Sequence, residues 1–98
     1  MADIALTFSG QDASLVGELT RHTVPSLSGK AAGKLFTSHL VVVNMTKVVK
    51  VDSAGLAWLL AQVEIAEAKA CQLRFAHLPS ELIKLARLSA VEHFLPID

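Results

Sequence analysis

Ile4, Leu6 and Phe8 alternate with Ala5 and Thr7, the period-two pattern of a strand with one face buried. Ser9-Gly10-Gln11-Asp12 is turn chemistry, and Leu15 to Leu19 then reads as a second short strand closing a hairpin with the first. Gly17 within it marks a bulge or a close backbone approach. Pro25 and Ser26 open a helix running to about Phe36, which Ser28, Gly29 and Gly33 weaken. Leu40-Val41-Val42-Val43 is a continuous apolar run, the pattern of a strand covered on both faces. Met45, Val48, Val49 and Val51 carry it to a sharp change at Asp52-Ser53. From Ala54 to Ala70 the periodicity is helical, and Leu73 to Ala76 is another short strand. Pro79-Ser80-Glu81 opens a last helix in which Leu82, Leu85, Ala86 and Ser89 recur at helical spacing, with Pro79 suited to the first turn.

The predicted order is β-β-α-β-α-β-α, with a final helical turn near Val91 to Leu95. A β-α-β unit requires parallel strands joined by a right-handed crossover. The expected fold is therefore α/β, a mixed sheet of about four strands with helices packed mainly on one face. Residues 1–98 are read as a single domain, since 98 residues leave no room for a second core.

Composition narrows the function. The chain is 52% hydrophobic and only 18% charged, so either the core is rich or apolar surface is kept for a partner. Nine basic and nine acidic residues give zero formal charge, so no overall field draws in nucleic acid or an anionic membrane. With Cys71 alone, no intramolecular disulfide forms, and a reducing compartment fits best. Met1 to Ala5 lacks a signal-peptide pattern, and the apolar stretch Ala54 to Ala61 is too short to cross a bilayer. These features predict a cytoplasmic protein. His22, His39, His77 and His93 are scattered without metal-ligand spacing, and no phosphate-cradling glycine loop appears. Neither a metal nor a cofactor is expected. Ser53 beside Asp52 is no triad, and Cys71 reads as a small buried residue, so an enzyme is the weaker class.

One constellation stands out. Asp52 and Ser53 lie where strand turns into helix, and either side chain is suited to cap the free N–H groups there. The helix N-terminus is also the positive end of the macrodipole, so an exposed Ser53 would mark a polarised docking or modification point. Along the helix, Leu56, Leu59, Leu60, Val63 and Ala70 share one side, the expected core face. Ala54, Trp58, Ala61, Ile65 and Ala68 lie on the other side, where polar residues belong. A helix apolar on two faces is either wholly buried or holds a partner. Trp58 is moreover of a type enriched at interface hot spots. The predicted partner surface is Asp52, Ser53, Ala54, Gly55, Trp58, Ala61 and Ile65.

Leu15 to Leu19, Val41 to Val51 and the loop Asp52-Ser53-Ala54-Gly55-Leu56 resemble the corresponding stretches of STAS domains. That family includes bacterial anti-sigma factor antagonists and the cytoplasmic tails of sulfate transporters. Within it, Lys47 to Asp52, Gly55 to Leu60 and Leu85 to Leu88 are similar to small STAS subunits of phospholipid-transport ABC complexes of Gram-negative bacteria. The resemblance implies a non-catalytic accessory protein. It would bind an ABC transporter ATPase subunit, and through it the permease, beneath the inner membrane, without touching lipid or nucleotide. The alternative it leaves open is an anti-sigma factor antagonist switched by phosphorylation of Ser53, which would add about −1.5 to −2 charges. Asn44 stands in the central strand where such switch proteins carry an acid next to the phosphorylation site.

Overall fold

In the computed structural model, which describes residues 3–27, 36–37 and 39–97, the N-terminal alternation becomes strand β1 (Ile4–Ser9). Strand β2 (Asp12–Leu19) returns antiparallel to it, with Ser9 opposite Asp12, so only Gly10 and Gln11 form the turn. Asp12, expected in the turn, is the first residue of β2. Strands β3 (Leu40–Val51) and β4 (Gln72–Ala76) follow, and the sheet order is β1-β2-β3-β4. β2, β3 and β4 run parallel, so the sheet is mixed and four-stranded.

Among the described residues there are two α-helices: α1 (Ser53–Ala68) between β3 and β4, and α2 (Ser80–Leu88) after β4. The helix expected from Pro25 is a 3₁₀ turn at Val24–Leu27, and positions 28–35 of that expectation lie outside the described residues. Pro79 sits just before α2, not within its first turn, and its carbonyl accepts from Leu82 N at 3.0 Å. A second 3₁₀ turn, Glu92–Phe94, ends the chain's helical structure, and the segment beyond it pairs Ile97 with Phe75.

β3 is covered on one face only. Val41, Val43 and Met45 are buried while Val42 and Asn44 are half-buried, because both helices pack on the same side of the sheet. The valine run that suggested two covered faces thus alternates after all. Its register slips twice against β2: Ser14 pairs with Asn44 and Val16 with Lys47, then Gly17 with Val48 and Glu18 with Lys50. Each slip adds one residue to β3, the signature of a bulge. The buried positions step from Met45 to Val48 to Val51, so Val51 faces the core where α1 begins. Gly17 has φ +118°, and a Cβ there would run into the Asp3 carbonyl, which accepts from Glu18 N at 2.8 Å. It meets both expectations for that position, at a bulge and a close approach.

α1 buries Gly55, Leu56, Leu59, Gln62 and Ala66. This stripe is rotated by roughly 60° from the expected one, taking about 100° per residue. Leu60 and Val63 are half-buried at its edge, and Ala70 lies beyond the helix, exposed. Gln62, which helical spacing does not place on the core face, turns inward. Its amide donates to the Trp58 carbonyl at 3.3 Å, while its buried Oε1 has no partner among the described residues. Both helices end alike. Cys71 N donates to Ala66 O at 2.9 Å and Val91 N to Ala86 O at 2.9 Å, with Ala70 and Ala90 in the left-handed region. These are Schellman closures with alanine where glycine is usual.

The rotated stripe makes a direct prediction. Leu59, fully buried, should cost about 2–5 kcal/mol when replaced by Ala, whereas Leu60→Ala should cost no more than about half as much. Urea unfolding of the two variants checks the order, and equal losses would place the core face back on Leu60.

Candidate functional site

The corner between β3 and α1 consists of one residue, Asp52, which has extended backbone and is the helix N-cap. Its Oδ1 accepts from Gly55 N at 3.1 Å, and its Oδ2 accepts from Arg21 N at 2.9 Å. The backbone N–H of Asp52 donates to Leu19 O at 3.3 Å. Asp52 therefore caps its own helix and ties it to the turn just after β2, where Arg21 lies thirty-one residues earlier. Burial raises the Asp52 pKa, but the N–H groups of Arg21, Gly55 and Ala54 and the Arg21 charge outweigh it. The carboxyl titrates below its ordinary value.

Arg21 N–H is held in place by a buried hydroxyl turn. Thr23 Oγ1 donates to Glu18 O at 2.6 Å and accepts from Thr20 N at 3.0 Å. Both threonines are buried. Gly55 completes the joint, because a Cβ there would collide with the Leu19 carbonyl oxygen and lie 2.9 Å from the Leu19 side chain. The helix approaches β2 this closely only without a side chain at that position. Gly55 is buried and works as a spacer beneath the surface rather than as a contact in it.

Of the other predicted site residues, Ser53, Ala61 and Ile65 are exposed, and Ala54 and Trp58 are half-buried. Trp58 leans on the core instead of standing clear of it. The cap is Asp52, so Ser53 is free: its hydroxyl makes no hydrogen bond among the described residues. Ser53 and the stripe of Trp58 and Ile65 lie about 120° apart around the helix, so they are not one flat patch. Between them run Ala57 and Ala61, both exposed and small, which leave the ridge low.

Ser53 instead opens into a groove that sequence reasoning did not identify, lined by Val51, Asp52, Ser53 and, from α2, Glu81, Lys84, Leu85 and Leu88. Leu88 is 86% exposed there, the largest exposure among the described large hydrophobic residues. Its signal was the spacing of Leu85 and Leu88, three apart on the outer flank of α2. Asn44 is not near this corner. It pairs with Ser14 and Ala76 in mid-sheet, and its Oδ1 accepts from Thr46 N at 2.8 Å. Roughly 20 Å of strand separates it from Val51, so it has no place beside Ser53.

Cys71 is buried, and burial pushes its thiol pKa up, away from nucleophilic use. Among the described residues no three His, Cys, Asp or Glu side chains converge on a metal position. No helix among them is long and apolar enough to cross a membrane.

A family model described as Mlab, STAS domain, matches residues 4–96. No curated protein sequence matches the chain. Among solved structures, the unphosphorylated form of the anti-sigma factor antagonist SpoIIAA is similar, with a TM-score of 0.72. The match covers 97% of this chain and 87% of that one at 18% identity, a likeness of fold.

The Asp52 joint predicts a pH dependence. A carboxyl with lowered pKa stabilises the fold above its unfolded value, about 3.9, and that stabilisation fades as pH falls through the folded value. Asp52→Ala should cost about 1–2 kcal/mol at neutral pH, and the gap from wild type should close below about pH 4. Melting temperatures of both proteins across pH 2.5–7 (a range set by those values) check the sign. A gap that is constant or widens toward acid rules the joint out.

Proposed function

The chain belongs to the Mlab STAS-domain family, and from that premise we propose that it is a non-catalytic docking subunit for the ATPase of an ABC phospholipid transporter. In this reading it contacts the permease only through the ATPase, and it sits at the cytoplasmic side of the inner membrane by that attachment. Its contribution is to support assembly and activity of a transporter that maintains outer-membrane lipid asymmetry. It holds neither nucleotide nor lipid itself.

One observation carries the docking reading. From Ser53 to Val63, the first eleven residues of α1, there is no charged side chain, although Ser53, Ala57 and Ala61 are exposed. A helix face with no charges in water is expensive in solubility and gains its use when a partner covers it. The low alanine ridge lets a partner helix or loop approach the backbone, with the Leu85–Leu88 groove on one flank and Trp58 and Ile65 on the other. Asp52 enters this surface by fixing it, since both its oxygens are already engaged.

The exposure of Ser53 favours a second reading, an antagonist that a partner kinase phosphorylates at this residue. A phosphate there would meet the helix N-terminus favourably but would stand beside the Asp52 carboxylate and desolvate poorly in an apolar contact.

Ser53→Arg should leave unfolding unchanged and weaken partner binding at least about tenfold, by burying a charge in the contact. Ser53→Ala should shift stability by no more than about half a kcal/mol, because Asp52 holds the cap. The measurement is capture from native membranes with partners identified by mass, wild type beside Ser53→Arg. An ABC ATPase lost in the variant supports the transporter reading; a kinase captured in its place supports the second, and an ATPase bound equally well by Ser53→Arg removes the corner from the interface.

A further inference from the structure

The second half of α1 carries another groove, away from the Ser53 corner. It lies between α1 and the 3₁₀ turn Glu92–Phe94 and is lined by Leu60, Val63, Glu64, Glu67 and Phe94. We propose that it docks a basic amphipathic segment of a partner protein, with an apolar side chain on Leu60, Val63 and Phe94 and a Lys or Arg between Glu64 and Glu67.

The apolar floor is real but uncovered. Leu60 and Val63 are half-buried, and Phe94 is 57% exposed, with the His93 ring tilted against it at a centroid distance of 4.2 Å. The turn that presents Phe94 is pinned by an ion pair from Arg87 Nε to Glu92 Oε2 at 2.5 Å. That pair leaves Glu92 satisfied. Glu64 and Glu67 are not: neither carboxylate has an ion pair or side-chain hydrogen bond among the described residues. They stand three residues apart on one flank of the helix, where like charges repel. A cation set between them removes that repulsion, and an anionic partner increases it. Nucleic acid and anionic lipid are therefore excluded as occupants by the sign of the rim. The chain's own Lys47, Val49 and Lys50 are exposed on β3 and have matching chemistry, but a second copy bound that way would be head-to-tail and would build rings or open chains of many copies. A partner's basic segment satisfies the rim without that consequence.

This proposal is independent of the ATPase reading, because Ser53 is not part of the groove. The test is fluorescence anisotropy of the full chain against a labelled synthetic peptide with Leu and Lys repeating at helical spacing. Two control peptides carry Glu in place of every Lys, or Ser in place of every Leu. Saturable binding of the first peptide alone is expected. Glu64→Gln with Glu67→Gln should weaken it at least tenfold, and Phe94→Ala by a similar factor, while Ser53→Arg leaves it unchanged. Circular dichroism of the variants should match wild type, since all four positions are exposed. Equal binding by the Ser-substituted peptide, no binding at all, or affinity indifferent to the glutamates overturns the proposal. So does self-association in sedimentation that Glu64→Gln with Glu67→Gln abolishes, which would make a second copy the occupant.

Discussion

The bridge made by the Asp52 carboxylate decides where the surface of this protein lies. Two parallel strands in contact still need something to fix how far the following helix sits from their ends. Here one side chain does it, accepting from Arg21 N at 2.9 Å and Gly55 N at 3.1 Å. The first bond belongs to the turn just after β2, and the second to the first turn of α1. Each is a charge-assisted bond to a backbone donor, the stronger kind. Because the donors are amides rather than side chains, substitution of Arg21 removes a charge but not the bond. Gly55 sets the remaining distance, since the Leu19 carbonyl occupies the space a Cβ would need.

Ser53 is exposed because of that bridge and not in spite of it. With the cap supplied by its neighbour, the serine hydroxyl has no structural duty, and the first turn turns it toward the groove beside α2. The motif thus divides its labour: Asp52 and Gly55 place the helix, and Ser53 and Ala54 are what the placement presents. A residue whose hydrogen bonds are all used internally is a poor contact but a good reference point for one.

How much of this was legible in the sequence depended on whether a local rule decided it. The succession of strands along the chain, the hairpin and the Asp52-Ser53 boundary were legible, since alternation and capping chemistry are local. The core stripe of α1 was not, because Leu60 and Val63 are as apolar as Leu56 and Leu59. The close approach of Gly55 to Leu19 lies on the same buried stripe as Gln62, a tertiary contact that no local pattern reports. The same limit applied to Leu40-Val41-Val42-Val43: valine suits a strand face whether or not it is covered, so composition could not report that one side is open. Asn44 was misplaced for a different reason: the family resemblance set it next to the serine, whereas the strand rise along β3 already carries it far from Val51.

The apolar excess of the chain finds its physical account in this arrangement. Helices on one side of a sheet can bury only one stripe each, and α1 has apolar residues on more of its circumference than that stripe spans. If the surplus served stability, it would point at the sheet, yet the inward position went to Gln62 while Leu60, Val63 and Ile65 stayed at the edges or outside. Burying an amide whose oxygen has no partner among the described residues, and leaving aliphatics at the rim, is costly for an isolated fold. The cost is intelligible when the outer face of α1 is itself selected. The small residues Ala57 and Ala61 point the same way, since lysine or glutamate there would improve solubility without disturbing any contact of the core. On the docking reading proposed above, the helix is covered twice, once by its own sheet and once by the partner.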